Sequence, residues 1–118
     1  SYNWTVPSVI TFDTNSNTNT KSGTVTVTDN TLASGRTLNI RISSSASFKL
    51  KDKANSANTR NYSVSRDGIA LKAGSTVISL PTATKSGSQA ISFSLAGANG
   101  AQVAGSYQDI LRFTAAVE

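Results

Sequence analysis

The sequence predicts an all-β fold, a sandwich or barrel of about eight to ten short strands. Apolar residues alternate with polar ones over several short runs, which is the two-residue period of a half-buried strand. Turn signals recur roughly every 8–12 residues. No run shows the 3.6-residue spacing of an amphipathic helix. The 118 residues imply one domain, residues 1–118. A chain of this length buries roughly two-thirds of its extended surface, enough for a core without cross-links.

Residues 2–6 alternate, with Tyr2, Trp4 and Val6 on one side. Pro7 has no N–H and interrupts the ladder. Ile10 and Phe12 then resume one face, so the first strand is expected to kink at Pro7 and serve two sheets. Residues 13–22 are polar throughout and predict a loop. Residues 23–29 form a clean strand, with Val25 and Val27 inward and Thr24, Thr26 and Thr28 outward. Residues 30–36 connect, with Leu32 as an anchor and Gly35 as a turn residue. Residues 37–43 place Leu38, Ile40 and Ile42 inward.

Phe48 and Leu50 mark a short strand. Tyr62 and Val64 mark another, ending at Asp67-Gly68, a pair that favours positive φ and therefore a hairpin. Ile69 and Leu71 lie on the return. Val77, Ile78 and Leu80 form a strand stopped by Pro81. Residues 88–95 alternate cleanly, with Ile91, Phe93 and Leu95 inward. Residues 96–104 are small and Gly-rich, a long connection. In the closing stretch Tyr107, Leu111, Phe113, Ala115 and Val117 share one parity. They predict one long final strand whose apolar face is shut inside. Asp109 interrupts that face, and Ile110 lies opposite.

The composition excludes several chemistries. There is no Cys and no His, which removes thiol nucleophiles, disulfides, imidazole bases and the usual zinc ligands. The acids are Asp13, Asp29, Asp52, Asp67, Asp109 and Glu118, and nothing pairs two of them for hydrolysis. There is no phosphate loop. An enzyme is not expected, and neither is a cofactor. Residues 13–19, DTNSNTN, resemble the first half of a calcium loop. Asp13, Asn15 and Asn17 are the Ca2+ candidates, against a plain solvated Asn/Thr loop. Thr18 and Thr24 stand where such a loop needs Gly and a bidentate acid.

The net charge of +5 is spread along the chain. Lys49, Lys51 and Lys53 alternate on one solvent face. They protect an edge strand against pairing, or they form a patch for an anionic polymer. Tyr2 and Trp4 share a parity and Tyr62 could join them in a saccharide-binding face. The competing expectation is that Trp4 fills the core. No run reaches the ~18 apolar residues of a membrane span. The Ser/Thr/Asn-rich, charge-poor composition favours export, with a signal segment removed.

Three stretches carry a resemblance: WTVPSVITF at residues 4–12, TLNIRIS at 37–43 and AGSYQDILRF at 104–113. Together they resemble small immunoglobulin-like antiparallel β-sandwich domains of secreted Gram-positive-type surface proteins, including WxL-type domains. The tail is also similar to the ends of spore-coat-U-like and fimbrial subunits. The resemblance implies a non-enzymatic, extracellular structural or adhesive module of a bacterial surface protein or fibre. The alternatives are a carbohydrate-binding module using Trp4 and exposed tyrosines, and a pilin-like subunit completed by a partner strand. Expected partners are other surface proteins or glycans, with self-association open. Neither nucleic acid nor membrane insertion is expected. Tyr107 is expected to cover the end of the core with its hydroxyl on backbone, and Asp109 to accept bonds from the adjoining turn.

Overall fold

The computed structural model describes residues 1–13, 19–96 and 103–118. Its ten strands are β1 (Asn3–Thr5), β2 (Asn19–Thr28), β3 (Thr37–Ser44), β4 (Lys49–Asp52), β5 (Thr59–Arg66), β6 (Ile69–Ala70), β7 (Ser75–Pro81), β8 (Gly87–Leu95), β9 (Tyr107–Gln108) and β10 (Leu111–Val117). They form an immunoglobulin-like antiparallel sandwich. One sheet runs β1-β2-β8-β5-β4-β9, with β6 beside β5. The other runs β10-β3-β7.

The two clean alternations, residues 23–29 and 88–95, are neighbours in the first sheet, and residues 37–43 lie in the other. Leu38, Ile40 and Ile42 of β3 face Val25 and Val27 of β2, Ile91 and Phe93 of β8, and Val64 of β5 in one buried cluster. Burying each such side chain is worth about 1.5–3 kcal/mol. Val77 and Ile78 are both buried although adjacent. A strand cannot point two successive residues inward without a break in its period. The register supplies the break: Ile40 pairs Ile78 while Arg41 pairs Thr76, so Val77 is the extra residue of a β-bulge.

Asp67 and Gly68 adopt φ of 50° and 80°, and Arg66 pairs Ile69 across them. This is the expected Asp-Gly hairpin. Leu32 packs against the core from its connection, as expected.

Three expectations are corrected. Residues 19–22 are strand, not loop: Asn19 to Ser22 pair with Leu95 to Ser92, and Thr20 and Ser94 bond through their hydroxyls. A polar strand end carries no apolar alternation to betray it. The final stretch is two strands. Tyr107 and Gln108 pair with β4, whereas Leu111 to Val117 pair with β3 in the other sheet. Asp109 and Ile110 are the crossing. The half-strand after Pro7 has no ladder partner among the described residues, although Ile10 and Phe12 pack inward.

Candidate functional site

Pro7 positions the unpaired segment. Its ring lies on Gly23 of β2, where a Cβ would come within 2.6 Å of both Pro7 Cβ and Cγ. From there residues 6–12 run without a ladder partner among the described residues, with Ile10 and Phe12 packed on the core and Val9 90% exposed. The Phe12 ring meets the Tyr62 ring at 6.2 Å and 58°. Opposite, among the described residues β10 pairs only with β3, which leaves its other edge open.

Between these two lines lies a groove of about 1070 Å³. Its apolar lining comes from both layers and includes Leu50, Phe93, Leu95, Leu111 and Phe113. Of the six exposed large hydrophobic residues, Val6, Val9, Val103 and Ile110 also line it. Scattered apolar exposure is ordinary, but concentration on one concavity marks a binding surface.

The groove's end is fixed where the chain crosses between layers twice. The turn from β3 to β4 and the step from β9 to β10 lie side by side, joined by the Ser45 N–H to the Ile110 carbonyl at 2.9 Å. Asp109 sits between them. Its Oδ2 accepts from Ser44 Oγ at 2.6 Å and from the Tyr62 hydroxyl. Its Oδ1 accepts the N–H of Ala46 at 3.1 Å and of Ile110 at 2.8 Å. Ser44 Oγ in turn accepts the Phe48 N–H at 2.7 Å. Ser47 and Phe48 both hold positive φ, 55° and 57°, a region that non-glycine residues rarely occupy. Asp109 thus accepts turn bonds as expected. Tyr107 likewise donates to the Val103 carbonyl at 2.7 Å.

Burial pushes the Tyr62 phenol above its ordinary value, and its bond to Asp109 and the charge there push the same way. A phenol whose folded value is raised contributes stability that is present below the unfolded value of about 10 and lost as pH climbs beyond it. Wild type is therefore expected to lose stability above pH ~10 more steeply than Tyr62→Phe, read from urea midpoints at stepped pH. Parallel curves would show that Tyr62 does not carry the alkaline limb.

The other predicted residues fall elsewhere. Trp4 pairs with Val27 through β1 and packs, with Tyr2, against the core. Tyr62 lies in β5, separated from β1 by β8 and β2. Lys49 and Lys51 are exposed on β4, which is flanked by β5 and the two-residue β9. Lys53 lines the groove. All six lysines are exposed. Asp13 accepts the Asn19 side-chain amide on its carbonyl. Asn15 and Asn17 lie outside the described residues. Among the described residues no three His, Cys, Asp or Glu side chains gather as a metal site.

The acids engage in local bonds. Asn3 donates to Asp29, the Ala54 N–H to Asp52, and Arg66 pairs Asp67. Arg41 meets Glu118 at 2.6 Å and holds that carboxyl below its ordinary value, helped by Asn39.

Sequence reasoning missed the groove and Arg60. One signal was present: residues 9–12 alternate like a strand yet follow a ladder-breaking proline. Another was parity, since Arg60 stands two residues before Tyr62 and four before Val64.

No protein-family model matches the chain, and no curated protein matches it. Among solved structures the chain is similar to one in the chaperone–tip adhesin complex of CFA/I fimbriae biogenesis, with a TM-score of 0.54 and 16% identity. The likeness covers 92% of this chain and 38% of that chain. The chain therefore spans well under half the length of its neighbour. No described helix is long and apolar enough to cross a membrane. What the neighbour and this chain share is the antiparallel immunoglobulin-like sandwich.

Proposed function

We propose that the chain is a non-enzymatic structural or adhesive module of a bacterial surface fibre, acting outside the cell. Its groove accepts an extended segment from another chain. The observation that carries this reading is the groove itself: among the described residues an open strand edge on β10, a segment at residues 6–12 with no ladder partner, and core-facing apolar side chains between them. An incoming strand pairs with the free edge by main-chain bonds, and its alternate side chains enter the groove. The seven residues of β10 offer an edge of roughly 23 Å at ~3.3 Å per residue. The fimbrial neighbour supports the fimbrial side of the resemblance rather than its WxL-type side.

The test uses labelled peptides of roughly ten residues with alternating Ile and Thr. The chain is expected to bind them and to melt several degrees higher in their presence, because a ligand of the folded state stabilises it by mass action. The same peptide with alternate residues replaced by proline, which cannot pair, is expected to leave the melt unchanged. Failure of the alternating peptide, together with slow hydrogen exchange of the outward amides of β10 in the free chain, would overturn the reading.

A further inference from the structure

Arg60 gives the groove a charge that its apolar lining does not explain. It pairs with Leu50 across β4 and β5 and shares the inward parity of Tyr62 and Val64. Its side chain lines the groove, and its Nε is buried with no hydrogen-bond partner. Arg60 takes part in neither salt bridge among the described residues, and Lys53, which lines the same groove, takes part in neither as well. An arginine cannot shed its proton to relieve the cost of burial.

The nearby acids are committed. Asp109 lines the groove, but Ser44, Tyr62, Ala46 and Ile110 already occupy its two oxygens. Asp52 is buried against Gly105 and caps the Ala54 N–H. Among the described residues neither carboxylate forms an ion pair with Arg60 or Lys53.

We infer that the segment accepted by the groove carries a side-chain carboxylate, an Asp or Glu beyond its apolar residues, that pairs with Arg60. This rests on the strand-accepting reading above. Arg60 offers Nε and a neighbouring Nη as a fork that matches both carboxylate oxygens. Lys53 adds an unsaturated point charge that favours the same end of an incoming peptide. The apolar residues supply affinity and the acid supplies orientation, since only one direction of the segment places it over Arg60.

Three peptides separate the possibilities. They share one alternating apolar body and differ only at the residue past its end: Glu, Gln or Lys. Each is titrated by fluorescence anisotropy against the wild-type chain and Arg60→Gln. The Glu peptide is expected to bind wild type on the order of tenfold tighter than the Gln peptide, with the Lys peptide weakest. In Arg60→Gln the Glu advantage is expected to fall below about twofold while the Gln peptide binds as before. Arg60 Nε makes no bond to lose, so this variant should fold, which its melt checks. Should it not, Arg60→Lys keeps the charge without the fork and is expected to retain only part of the advantage. Equal binding of the Glu and Gln peptides to wild type overturns the inference and leaves the groove reading standing. A Glu advantage that survives in Arg60→Gln also overturns it. If none of the three binds, the inference is overturned, and slow hydrogen exchange of the outward β10 amides would then overturn the groove reading as well.

Discussion

Asp109→Ala is expected to lower unfolding stability by about 3 kcal/mol. The carboxylate holds two hydroxyls and two backbone N–H groups. Removing it withdraws the charged acceptor from all four donors. Charge-assisted bonds are worth about 1.5–3 kcal/mol each, and buried donors left alone add about 1–3 kcal/mol. The effects do not sum, because Ser44 and Tyr62 can partly rotate toward water. The loss should also reach the turn beyond. Ser47 and Phe48 are held in the left-handed region by bonds that start from Ser44 and Asp109, and such strain persists only where surroundings impose it.

Urea unfolding of Asp109→Ala, Tyr62→Phe and the double variant forms the deciding cycle. A coupling of about 1 kcal/mol between the two sites is expected. Asp109→Asn should fall between wild type and Ala, since its single carbonyl keeps half the accepting atoms. If Asp109→Ala loses less than about 1 kcal/mol, the double crossing between layers is held by packing instead.

That crossing also shows where sequence reading stops. Tyr107, Leu111, Phe113 and Ala115 share a parity, so the alternation reads as one strand. Parity records which side a residue faces, not which sheet its ladder joins. The switch at Asp109 is written in long-range donors, Ser44 and Tyr62, that lie 65 and 47 residues away. The same limit hid Arg60: its parity with Tyr62 and Val64 gives the side it faces, but the groove that side lines is made by other elements. Where a strand's own alternation is unbroken, as at Leu38-Ile40-Ile42 and Ile91-Phe93-Leu95, it sufficed. At Val77-Ile78 the broken alternation was itself the signature of the bulge. Residues 9–12 were legible as extended and inward-facing. That no described strand pairs with them follows from the arrangement of the sheets, and no local pattern contains it.

Gly23→Val is expected to cost about 3 kcal/mol and to disturb the groove together with the fold. Valine ordinarily suits a strand better than glycine, so a loss here runs against propensity and must come from the neighbour. That neighbour is the Pro7 ring, whose Cβ and Cγ would each stand 2.6 Å from the new Cβ, with Phe93 Cε2 at 3.5 Å behind it. A proline ring cannot swing aside as a flexible side chain can. Residues 6–12 must therefore lift from β2, and Ile10 and Phe12 lose part of their packing on the core. Pro7→Gly removes both clashing atoms. In that background Val at position 23 should cost little or even stabilise, and the difference between the two backgrounds isolates the contact. Because the lifted segment is one wall of the groove, Gly23→Val should also weaken the alternating peptide by on the order of tenfold, with β10 and its free edge unchanged. Unaltered peptide affinity alongside the expected loss of stability would mean that the segment is packing alone, and that an incoming strand is held by β10 and the apolar floor.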